Sequence, residues 1–153
     1  MLNISKIYLL KLLNFNRLSK QIIVLTVDIL FSFIAVYLAL VIRLESLYLD
    51  FNYNFFILCA FSIFFIPFFI SLGLYKAIFR YSGFNSIMSI LFATFIYGSI
   101  FFLLIIFSKI PNLPRSIGVL QPILFFIFVS FSRVLIVSII TTIKKSKKIN
   151  NIL

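Results

Sequence analysis

Four stretches of this chain are nearly continuous in apolar residues, each about as long as a bilayer core is thick, and this limits the fold more than any single residue does. They run over 21–42, 55–74, 87–107 and 117–141. A hydrocarbon core of roughly 30 Å is crossed by about 20 apolar residues in helical form. Inside it every backbone N–H and C=O must be satisfied by the protein, so only helices and closed barrels can span. The stretches are too long for barrel strands and lack their period-2 alternation. The predicted fold is therefore all-α, a polytopic membrane protein with four transmembrane helices. Its short connections make consecutive helices antiparallel neighbours in a bundle. Composition points the same way: 63% of the residues are hydrophobic and 11% are charged, against roughly 45–50% and 25% in soluble domains.

Charge placement orients the bundle. Lys6, Lys11, Arg17 and Lys20 precede the first span, Lys76 and Arg80 lie between the second and third, and Lys144, Lys145, Lys147 and Lys148 follow the fourth. The opposite side carries Arg43, Lys109 and Arg115, a bias of ten against three. Because basic loops stay on the cytoplasmic side, both termini are predicted inside, with Arg43 and Arg115 in the outer-face loops. Residues 1–20 read as a basic lead, either an interfacial helix on anionic lipid or a disordered tail. Residues 21–143 form the membrane domain, and 144–153 a basic tail whose lysines anchor to lipid headgroups. A cleaved signal peptide is disfavoured, since the first apolar block is too long and ends in "VIRLES" with no small-x-small site. The surplus of 14 Lys and Arg over 3 acids does not indicate nucleic acid, because these residues sit at block edges rather than on one folded basic surface.

Chemistry is sparse. There is no histidine, and Cys59 is the only cysteine, which removes the commonest general base, disulfides within the chain and cysteine metal sites. Glycine-rich phosphate or dinucleotide loops, a nucleophile elbow and a zinc-protease motif are all missing from the sequence. No catalytic, cofactor-binding or metal-binding residue is assigned.

Two charges fall inside the apolar spans. Asp28 lies about seven residues into the first and Arg133 about eight before the end of the fourth, so both sit roughly 10–12 Å below the same boundary. An ion pair between the two helices would offset the expense of placing either charge in hydrocarbon. Asp28 shares a helical face with Ser32, Ala35 and Ala39, and small residues mark faces where helices approach closely. The alternatives are a proton- or cation-coupled carboxylate, as in small multidrug transporters, and a side chain that snorkels to the cytoplasm. Between the second and third spans, "GLYKAIFRYSG" (73–83) places Tyr75, Lys76, Arg80 and Tyr81 in a cytoplasmic loop at headgroup depth, or at a docking surface.

Three segments in order, "LTVDILFSFIAVYLALVIR" (25–43), "GLYKAIFRYSG" and "LPRSIGVLQPILFFIFVSFSRVL" (113–135), follow a basic lead. Together they resemble the N-terminal four-helix membrane domain of membrane-bound polysaccharide biosynthesis proteins, the nucleotide-sugar 4,6-dehydratase and epimerase family. Lys76 stands where that family usually has arginine, and Phe79 where tryptophan is common. Full-length relatives continue past the fourth helix into NAD-binding Rossmann-type domains whose first strand reads like "NILIYGAG". Here the closing "KKSKKINNIL" (144–153) looks like the approach to that strand, stopped before its glycine turn. The resemblance implies a bacterial inner-membrane module whose catalytic portion and NAD site are absent from the chain. It would anchor a nucleotide-sugar enzyme near lipid-linked acceptors, with anionic lipids, a separate catalytic domain or lipid-linked glycan machinery as partners. A homo-oligomer is also open. The competing expectation is a small four-helix transporter or flippase for lipid-linked sugars or cations, which requires Asp28 free to cycle.

Overall fold

The computed structural model describes residues 17–45, 53–77, 84–108 and 113–150. These form α1 (Arg17–Leu44), α2 (Tyr53–Ser62), α3 (Phe65–Ser71), α4 (Leu74–Ala77), α5 (Phe84–Ser108) and α6 (Ile117–Asn150). Three of the helices contain stretches long and apolar enough to cross a bilayer: Gln21–Leu44, Ile87–Ser108 and Ile117–Ser138. That marks the chain as a membrane protein. The expected basic lead before Arg17 lies outside the described residues, as do Arg80, Tyr81 and 151–153.

The second of the four expected spans is not one helix. Its apolar helical part, Phe55–Ser71, is interrupted by a turn at residues 63–64. Pro67 supplies the reason, since it has no N–H to give Ile63 and its ring crowds the carbonyl four residues back. The chain tightens instead. Ile63, Phe64 and Ile66 donate N–H to the carbonyls three residues earlier, Ala60, Phe61 and Ile63, at 3.1–3.3 Å. This leaves the Ser62 carbonyl without its usual helical donor, and Ser32 Oγ of α1 donates to it at 3.3 Å. A backbone defect made by one proline is thus satisfied from the neighbouring helix, as an apolar surrounding requires.

The remaining boundaries also have local causes. Glu45, at φ 52, ends α1 in the left-handed conformation. Gly73, at φ 66, turns the chain after α3, where an added Cβ would meet nothing within 4 Å. Conformation rather than space therefore calls for glycine there. α6 is entered through tight turns in which Ile117, Gly118 and Val119 bond the carbonyls of Pro114, Arg115 and Ser116. Its backbone then stays helical through Pro122 and on to Asn150, past the expected end at 141. Lys144, Lys145, Lys147 and Lys148 therefore lie on a backbone that continues α6.

α6 is the central element, making its broadest contacts with α1 and α5. On α1, Asp28, Ser32, Ala35 and Ala39 are all fully buried, Asp28 meeting Arg133 of α6 and Ser32 meeting the Ser62 carbonyl of α2. The core between α3, α5 and α6 is aromatic: Phe125 lies 4.7 Å from Phe65, 5.7 Å from Phe69 and 5.8 Å from Tyr97 by ring centroid. In a bilayer burial of apolar area scarcely favours helix association, so close packing and polar bonds carry the load. Outward faces stay apolar, with Leu18, Phe95 and Phe107 all more than two-thirds exposed, the reverse of a water-facing surface.

α5 and α6 approach closely at Gly118. A Cβ there would stand 2.8 Å from Phe102 Cδ2 and 3.3 Å from its Cα, so part of the obstacle is backbone that cannot rotate aside. Gly118→Ala is expected to lower stability by about 1–3 kcal/mol through overpacking, measured by thermal unfolding in detergent. Ser99→Ala, at an exposed position whose Oγ bonds its own helix at Phe95 O, should leave the midpoint unchanged.

Candidate functional site

Polar side chains buried in this bundle are few, and the strongest contact joins the two charges. Arg133 Nη2 of α6 donates to Asp28 Oδ2 of α1 at 2.6 Å, with the side chains 5% and 0% exposed. The residues are 105 positions apart, so the bond closes the first helix onto the last. Two opposite charges buried together form a neutral unit, and each removes most of the penalty of the other.

Tyr75 completes the junction. Its ring centroid lies 5.9 Å from the Arg133 guanidinium carbon, within cation–π range, and 6.3 Å from the Phe69 ring. Its hydroxyl lies close to the Asp28 carboxylate, although among the described residues neither that hydroxyl nor Asp28 Oδ1 reaches full hydrogen-bond geometry. This corrects one expectation. Tyr75 does not face headgroups but is 6% exposed, because the left-handed turn at Gly73 sends α4 back over the bundle. Lys76 lies beside it on the α4 backbone. Arg43, in the last turn of α1, and Arg115, in the turn before α6, are both exposed.

A second buried bond escaped sequence reading. Tyr97 of α5 donates through its hydroxyl to Gln121 Oε1 of α6 at 2.9 Å, with both side chains fully buried. The available signal was Gln121 itself, a polar residue inside an apolar block and directly before Pro122. Together with Ser32 and the Ser62 carbonyl, α1 is hydrogen-bonded to α6 and to α2, and α5 to α6. Elsewhere the buried Thr94 and Ser132 hydroxyls bond carbonyls of their own helices. Among the described residues, no group of three or more His, Cys, Asp or Glu side chains is placed to hold a metal ion.

What this arrangement can do chemically is hold helices. Its one carboxylate is already engaged by a guanidinium, and the hydroxyls of Ser32, Tyr97, Thr94 and Ser132 bond neighbouring helices or their own backbone. No protein-family model matches the chain, and no match is found among curated proteins or among solved structures.

Removing one member of the ion pair leaves the other charge buried and uncompensated. Asp28→Asn and Arg133→Gln are each expected to destabilise the bundle by about 3–5 kcal/mol. The double variant should lose much less than the sum, because neither charge is then stranded. Denaturant unfolding of the four proteins in micelles gives the coupling directly.

Proposed function

We propose that this chain is a membrane-anchoring and interaction module for a nucleotide-sugar-modifying enzyme of bacterial surface polysaccharide assembly, with no catalysis of its own. One observation carries the reading. The three sequence segments that bear the family resemblance each send a side chain to the same buried junction: Asp28 from 25–43, Tyr75 from 73–83 and Arg133 from 113–135. Segments so far apart in the chain are explained together if they define one packed unit, which is what an anchor must be. NAD and the dehydratase residues belong, in this reading, to a catalytic portion that works beside the bundle.

The same geometry weighs against the carrier alternative. A transporter needs its intramembrane acid free to exchange protons or cations, whereas Asp28 Oδ2 is held by Arg133.

In the proposed arrangement all four apolar segments cross the cytoplasmic membrane, the broken α2–α3 segment included, and both termini lie in the cytoplasm. The bias of ten basic residues against three supports this orientation. The four lysines at 144–148 then stand at the anionic leaflet, where each contributes about 1 kcal/mol of attraction. Single cysteines introduced at positions 45 and 115 in a Cys59→Ser background should react with a membrane-impermeant maleimide added outside intact cells, and one at 147 only after lysis. Labelling at 147 in intact cells would reverse the orientation.

Deletion of the coding segment in its native host should abolish surface polysaccharide and shift nucleotide-sugar dehydratase activity from the membrane to the soluble fraction. Polysaccharide and enzyme distribution both unchanged would refute the anchor.

A further inference from the structure

Between the start of α1 and the α3–α4 turn lies a slot of about 220 Å³, lined by Leu18, Ile22, Leu25, Ile70 and Tyr75 among others. It has room for several water molecules, and its walls are otherwise mostly apolar. Tyr75 faces both ways: it lines the slot, and its ring stands over the Arg133 guanidinium at 5.9 Å. Asp28 and Arg133 do not line the slot. Tyr75 is thus the lining residue whose ring also touches the ion pair.

Tyr75 is also held in a way that permits release. It sits on α4, a single turn of four residues, and an isolated turn of that length has little helical stability of its own. The turn is reached through Gly73 at φ 66, a backbone position with unusual conformational freedom. Among the described residues Tyr75 Oη and Asp28 Oδ1 lie close together without reaching full hydrogen-bond geometry, so the closed arrangement gains less than a fully made bond would supply.

We propose that α4 is a strap: its Tyr75 ring closes the slot against the Asp28–Arg133 pair, and movement of α4 about Gly73 joins the two into one polar pocket. In the open form water, or a hydroxyl group presented from the slot, reaches Asp28 Oδ1 and donates to it. The strap is a property of the bundle itself and holds whatever the bundle anchors.

The chain has three acids, Asp28, Glu45 and Asp50, which makes the test direct. Protein in lipid bilayers, carrying Asp50→Asn and carbon-13 aspartate and glutamate, has two labelled carboxyl carbons. Water-edited solid-state NMR measures how fast magnetisation from water reaches each, with the exposed Glu45 as the solvated reference. The Asp28 signal should build severalfold more slowly than that of Glu45 in the otherwise wild-type protein. It should stay slow in Tyr75→Phe, which keeps the ring, and approach Glu45 in Tyr75→Ala, with the melting transition retained as the check on folding. A slow Asp28 signal in folded Tyr75→Ala overturns the strap, as does a fast one in Tyr75→Phe. If Tyr75→Ala does not fold, Asp28 building as fast as Glu45 in the otherwise wild-type protein overturns it, and slow build-up there and in Tyr75→Phe sustains it.

Discussion

The contact between Asp28 and Arg133 is the constraint around which the rest of the bundle is arranged. A carboxylate and a guanidinium in hydrocarbon are each expensive alone and tolerable together. Once α1 carries the first and α6 the second, the two helices must meet face to face at one depth. The small residues Ser32, Ala35 and Ala39 on α1, all fully buried, let this helix pack closely against its neighbours. Packing supplies the proximity, and the ion pair selects which faces are brought together.

The other polar contacts extend this logic to the remaining helices. Pro67 prevents the second apolar segment from forming a regular helix, and the carbonyl it leaves bare is satisfied by Ser32, one turn along α1 from Asp28. Tyr97 and Gln121 fasten α5 to α6 beside the clustered rings of Phe65, Phe69 and Phe125. Since lipid tails are as apolar as the phenylalanines, these bonds and close approaches such as Gly118 against Phe102 distinguish the native arrangement from other pairings of greasy helices. A bundle tied at so few polar points is suited to staying put, which agrees with the anchoring role proposed above.

Much of the architecture could be read along the chain because its cause is one-dimensional. The lengths of the apolar blocks predict α1, α5 and α6 to within a few residues at most of their ends, and the depth of Asp28 and of Arg133 follows by counting 1.5 Å per residue. Tyr75 was misjudged for a different reason: an aromatic beside lysine and glycine at a block edge has the composition of a headgroup anchor. The positive φ of Gly73, which turns α4 inward, leaves no mark on hydropathy. Gln121 was visible as a polar intruder, but nothing along the chain pairs it with Tyr97, 24 positions away.

The sequence by itself therefore determined that this is a helical membrane protein, roughly where its long helices lie and that its two buried charges fall at matching positions along the first and last apolar spans. These follow from hydrophobicity and helical rise, both local quantities. Only the tertiary structure decided that the second segment breaks and is mended by Ser32, that Tyr75 is buried over Arg133, and that Tyr97 finds Gln121. Each depends on the rotation of one helix about its axis relative to another, which is fixed by side-chain packing and hydrogen-bond satisfaction across the bundle.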